Sequence, residues 1–132
     1  MTLLRINTQR KREVVDLTER LRHNDALSRM KSGVCHLFLF HTTAALTIAD
    51  LDPGTDLDYI DAFEAMIPKL DYRHPHDPKH VPDHILSALL GPSLSVPVRN
   101  GEPLLGSWQR IVLVEFDGPR QREVAISVTP EK

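Results

Sequence analysis

Turn signals cut the second half of this chain into apolar runs too short and too β-branched for helices. Asn100-Gly101 is the strongest of them, because a tight hairpin turn needs positive φ at two successive residues and Asn-Gly tolerates both. Before it, Ser93–Arg99 alternates Leu94, Val96 and Val98 with polar neighbours. After it, Trp108–Phe116 and Arg122–Thr129 read as strands joined at Asp117-Gly118-Pro119. Upstream, Val34–Phe40 and Ala44–Ala49 are two more strands parted by His41-Thr42-Thr43, and Leu3–Thr8 and Arg12–Leu17 are short β-compatible segments.

Helices fall between these runs. Thr18 is placed to cap a helix over Glu19–Met30, striped by Leu21, Ala26, Leu27 and Met30 and stopped at Ser32-Gly33. After the turn at Asp52-Pro53-Gly54, Leu57, Ile60, Phe63, Met66, Ile67 and Leu70 recur at helical spacing over Thr55–Lys69. Asp83 is expected to cap a short helix to Leu90, ended by Gly91-Pro92, and residues Asp71–Pro82 to form an irregular loop. The pattern predicts an α+β fold: a β-sandwich or partly closed, barrel-like antiparallel sheet with two to three helices.

With 132 residues and no linker or repeat, residues 1–132 form one domain. Sixteen basic against eighteen acidic residues, a net charge of −2, argue against a nonspecific nucleic-acid partner, which requires a basic surface. No stretch approaches the ~18 apolar residues of a membrane span, and Met1–Arg12 has no apolar leader core. The expectation is therefore a cytoplasmic protein with no membrane partner. The single cysteine, Cys35, fits a reducing compartment and reads as a small buried hydrophobe.

Chemistry-bearing residues concentrate in a few places. His41 ends the row Cys35, Leu37, Leu39 on one strand face. On the Trp108–Phe116 strand, Gln109 and Glu115 bracket Ile111 and Leu113, which suggests the rim of a pocket. Four of the seven histidines lie in the stretch from Asp71 to His84. His84 follows the expected cap, where the helix dipole favours the neutral imidazole that ligates metal or accepts a proton. His41, His74 and His84 with one open position would make a catalytic zinc-type site. Arg73, Arg99 and Arg120 are anion-binding candidates, with Ser93 supplying a hydroxyl. His23, His36, His76 and His80 read as incidental.

Six ordered segments carry a resemblance over nearly the whole chain. His41-Thr42-Thr43-Ala44, Asp71-Tyr72-Arg73-His74, Asp83-His84-Ile85, Leu89-Leu90-Gly91-Pro92-Ser93, Gly106-Ser107-Trp108-Gln109 and Glu115-Phe116-Asp117-Gly118-Pro119-Arg120 resemble the YjbQ-like family, whose members are often labelled secondary thiamine-phosphate synthase. The resemblance implies a compact α+β fold assembled as a homotrimer. It also implies a site of His41, His74, His84, Gln109 and Glu115, with Trp108 beside it, and a reaction joining a pyrimidine pyrophosphate to a thiazole phosphate. On that basis Glu115, Gln109 and His84 are expected to be catalytic. Arg73, Ser93, Trp108 and Arg120 are expected to bind a small phosphorylated metabolite, and His41, His74 and His84 a divalent metal.

Three histidines favour zinc, whereas magnesium prefers oxygen ligands and would accompany a diphosphate substrate. A metal-dependent hydrolase, or a trimeric metal- or phosphometabolite-binding protein without turnover, are the alternatives. The chain departs from the family pattern at Ala49-Asp50-Leu51-Asp52-Pro53, leaving Asp50 and Asp52 as rival acidic residues, and in a Pro/His-rich loop that offers His80 as a further ligand.

Overall fold

Strand β3 (Ser32–Leu39) organises the larger sheet because both its edges are paired. The structure, a computed structural model, describes residues 1–132. β3 lies antiparallel to β8 (Gln121–Pro130) on one side and β5 (Ser93–Arg99) on the other. With β1 (Thr2–Asn7) and β6 (Glu102–Pro103) the sheet order is β1-β8-β3-β5-β6. A second sheet, β2-β7-β4, is built from Glu13–Asp16, Arg110–Glu115 and Ala44–Ala49. Both sheets are antiparallel, and they curl into a half-barrel, as expected for the α+β class.

The expected hairpin turn is present: Asn100 and Gly101 have φ of 53° and 78°, and Val98 pairs with Pro103 across it. Inward side chains alternate along β3 (Cys35, Leu37, Leu39) and β8 (Val124, Ile126), and they meet Ile111 and Leu113 of β7 in the main core. The other face of β7 presents Val112 and Val114 to a second, smaller core with Ala45, Leu86 and Phe116. β7 is thus buried on both faces. Cys35 lies in the main core, and burial pushes its thiol up to about 11.

Four α-helices occur rather than two or three: α1 (Thr18–Arg22), α2 (Asp25–Ser28), α3 (Thr55–Met66) and α4 (Val81–Leu90). The single helix expected over 19–30 is interrupted because the Asn24 side chain accepts the N–H groups of Ala26 and Leu27, ending one helix and capping the next. Thr18 lies inside α1 rather than capping it; its hydroxyl accepts the Ile111 N–H. α3 begins after Gly54 (φ 90°) and rests Ile60 and Phe63 on the second core, while Leu57 and Met66 stay exposed. The 71–82 loop contains a 3₁₀ turn, Pro78–His80, that leads directly into α4. None of the helices is long and apolar enough to cross a membrane.

Candidate active site

The segment after β3 and the β7–β8 turn are bound together by one buried ion pair. Glu115 ends β7 with no exposed surface, and Arg122 enters β8 almost as deeply buried. The Glu115 Oε2 accepts from Arg122 Nε at 2.7 Å and from the Thr8 hydroxyl at 3.0 Å. Its Oε1 accepts from Arg122 Nη2 and from the Asp117 N–H at 3.0 Å. Nη2 of Arg122 also donates to the Thr43 carbonyl at 3.2 Å and hydroxyl at 2.8 Å. Every oxygen of Glu115 is occupied, and the ion pair fixes the His41-Thr42-Thr43 segment against the sheet. Burial of two charges is tolerated only with such complete hydrogen bonding.

His41 turns its ring toward β8, where Nε2 accepts the backbone N–H of Glu123 at 2.9 Å. A backbone N–H can only donate, so the His41 lone pair is spent on Nε2 and Nδ1 carries the proton. Partial burial, with the nearby Arg122 guanidinium, holds its pKa below the ordinary histidine value, so the ring is neutral at pH 7. His41, Thr42, Thr43, Arg120 and Arg122 line one open cleft of about 570 Å³.

His84, in the first turns of α4, reaches the same segment from the other side: Nδ1 lies 2.9 Å from the Thr42 carbonyl. A carbonyl only accepts, so Nδ1 is protonated and, in the neutral ring, Nε2 carries the free lone pair. The ring of His74 stacks on that of His84, centroids 5.2 Å apart and 9° from parallel. His74 is oriented in turn by its own loop, with Nδ1 accepting the N–H groups of His76 (3.2 Å) and Asp77 (3.1 Å). The proton of its neutral form therefore sits on Nε2. Nowhere in the chain do three His, Cys, Asp or Glu side chains gather in metal-binding geometry. One copy of the chain offers a metal a single imidazole lone pair from the three candidates, that of His84.

Asp83 is not the N-cap of α4. It stands at the third helical position, buried, with its carboxylate held by Arg12 Nη2 at 2.8 Å and Lys11 Nζ at 3.2 Å. Lys11 also pairs with Asp117, which accepts from Arg120 Nη2 at 2.9 Å. Despite partial burial, these bonds from Lys11 and Arg120 bring the Asp117 carboxyl down to about 2. The chain Arg12–Asp83–Lys11–Asp117–Arg120 thus ties the start of α4 to the lip of the His41 cleft.

Trp108 and Gln109 lie elsewhere. They precede β7, at the opposite end of that strand from Glu115, because the strand begins at Arg110. Trp108 is 72% exposed, and Gln109 accepts the Gly106 N–H at 2.8 Å. Trp108 borders a small hollow with Asp50, Asp52 and Asp16, so both rival aspartates sit at that distant end. Arg73 and Arg99 are exposed. Ser93 opens β5 opposite Phe38, and the carbonyls of Gly91 and Pro92 accept the N–H groups of Leu46 and Leu39. His80 approaches Asp77 at 3.6 Å.

Arg122 was missed by sequence reasoning although a signal was there: it alternates with Val124 and Ile126 on the inward face of β8. A charge in such a row calls for a buried partner.

Residues 2–131 match the model of the UPF0047, YjbQ-like proteins. The chain belongs to this family. A UPF0047 protein of Mycobacterium tuberculosis is 41% identical over 95% of this chain and 97% of its own length. YugU of Bacillus subtilis is 32% identical over 95% and 96%. A crystal structure of a YjbQ/UPF0047 protein from Clostridium acetobutylicum superposes with a TM-score of 0.86 at 30% identity, covering 98% of this chain and all of the other. One from Sulfolobus solfataricus gives 0.87 at 29% identity, covering 98% and 96%. The two crystal structures share the overall fold of this chain.

Proposed function

We propose that this YjbQ-family protein is an enzyme acting on a small phosphorylated molecule at the His41–His84 face. In this reading His84 is the proton acceptor, and His41, His74 and Arg120 hold the anion. The supporting observation is the division of the imidazoles by their backbone partners. Nε2 of His84 has a free lone pair, whereas His41 presents Nδ1–H and His74 presents Nε2–H. A base stacked against a fixed donor, that of His74, suits proton transfer next to a charged group. Glu115 acts by position, because Arg122, Thr8 and the Asp117 N–H leave it no lone pair for general-base work.

The three-histidine zinc set does not fit one copy as folded, since two of its lone pairs accept backbone N–H groups. A zinc or magnesium ion at this site would draw its other ligands from solvent, substrate oxygens or another copy. A homotrimer belongs to the same reading and is supported by large apolar side chains left exposed, among them Leu57, Met66, Leu70 and Trp108. A cytoplasmic location fits the helices, none of which can span a membrane.

Binding without turnover is the second reading. It is favoured by Glu115, whose saturated carboxylate removes the one carboxylate expected to be catalytic from acid–base work. The deciding experiment assays purified protein, metal-free and with zinc or magnesium, on a pyrimidine pyrophosphate with a thiazole phosphate and on simple phosphate esters. His84→Asn is expected to lose kcat with KM preserved, and Arg120→Ala to raise KM. Full activity in His84→Asn overturns the catalytic assignment. Tight binding without product from any substrate establishes the second reading.

A further inference from the structure

A groove separate from the histidine face runs between the end of α3, the residues that follow it and the first turns of α4, enclosing about 560 Å³. Its apolar surface comes from Ile67, Pro68, Leu70 and Pro82, lying over Leu86, which is fully buried and belongs to the second core. Lys69 and Lys79 stand on its rim, and neither takes part in a salt bridge. The remaining charged lining residues are Arg12 and Glu64, already joined at 3.3 Å, and Arg12 is further committed to Asp83. With Arg12 held by Glu64 and Asp83, the two unpaired ammonium groups of Lys69 and Lys79 make this groove positive on a chain whose net charge is −2.

We propose that this groove binds a small apolar monoacid, an aromatic or short-chain carboxylate. Its volume falls within the range of small-ligand pockets, which are mostly apolar with a few fixed polar groups. A bare phosphate would leave Ile67, Pro68, Leu70 and Pro82 facing water, and a neutral hydrocarbon would leave the two rim ammonium groups unused. A carboxylate on an apolar body satisfies both. Glu64 at the same groove repels a second acidic group, which selects a monoacid over a diacid. The ligand would touch Pro82, two residues before His84, so its occupancy is in contact with the helix that carries the base.

The test uses the intact protein and two matched probes, 4-phenylbutyrate and its uncharged amide, titrated while backbone amide NMR shifts are followed. The acid is expected to shift Ile67, Leu70, Lys79 and Leu86, and the amide to bind about tenfold more weakly or less, as loss of a charge-assisted contact predicts. Lys69→Ala with Lys79→Ala, both on the surface, should weaken the acid by about the same factor and leave the amide unchanged. Equal binding of acid and amide overturns the proposal, as does the absence of shifts at millimolar acid. Shifts confined to Phe40–Thr43 and Arg120–Arg122 would overturn it too, by placing the acid in the histidine cleft.

Discussion

Glu115 and Arg122 face each other across the turn joining β7 to β8 and form an ion pair closed to water, with 0% and 2% of their side chains exposed. The guanidinium reaches past the carboxylate to Thr43, so one contact sets both the turn and the segment that carries His41. Removing either member strands a buried charge. Glu115→Ala and Arg122→Ala are each expected to lower the unfolding free energy by about 3–5 kcal/mol in urea titrations. Joint replacement by Leu and Met should cost less than either single change. It should still disturb the His41 segment, because Thr43 loses its donor.

Asp117 makes acid stability a second readout. Its folded carboxyl sits near 2 against an ordinary 3.8. A depressed folded value stabilises the native state above the unfolded pKa, and the contribution is lost as pH falls through the folded one. Between about pH 4 and pH 2 the protein should therefore lose stability from this group, by about 1 kcal/mol once solvent screening of its half-exposed partners Lys11 and Arg120 is allowed for. Asp117→Asn should flatten the unfolding free energy over that interval. An unchanged slope in the variant would remove Asp117 from the network with Lys11 and Arg120.

Gly118 has no room for a side chain. A Cβ there would lie 2.2 Å from the Arg10 carbonyl and 2.9 Å from both Glu115 Cγ and the Thr8 hydroxyl. The Gly118 N–H is also bound to the Lys11 carbonyl, so the turn cannot move away without losing that bond. Gly118→Ala is expected to cost about 1–3 kcal/mol or more in thermal unfolding, as overpacking does elsewhere. A variant with wild-type Tm would show that the turn has slack.

His41 should titrate below 6.5, because burial and the Arg122 guanidinium both disfavour its charged form. Ring-proton NMR shifts recorded across pH 4–8 measure this directly. The sign for stability follows: the unfolded chain binds this proton more readily, so stability declines as pH drops below about 6.5. Arg122→Met should move the His41 midpoint upward.

Local physics made much of the scaffold legible in the sequence. Ala44–Ala49 forms β4 with the boundaries its apolar run implied, and Asn100-Gly101 turns the β5–β6 hairpin because positive φ was required there. What failed depended on residues distant in sequence. Asp83 resembles an N-cap until Lys11 and Arg12, some seventy positions earlier, claim its carboxylate. Glu115 resembled a pocket rim, yet Arg122 seals it. Strict alternation puts Gln109 on the Glu115 face, but the strand starts at Arg110 and the Gln109 side chain bonds Gly106. His41, His74 and His84 were legible as residues of interest. The roles of their ring nitrogens were not, because those depend on which backbone groups the fold sets opposite them.

Long-range ¹H–¹⁵N correlation of the histidine rings at pH 7.5 reads those roles directly. The hydrogen bonds described above require Nδ1–H for His41 and for His84, and Nε2–H for His74. Signals showing a lone pair on Nδ1 of His84, or one on Nδ1 of His41 available for a ligand, would contradict the assignment of a single imidazole base among fixed donors.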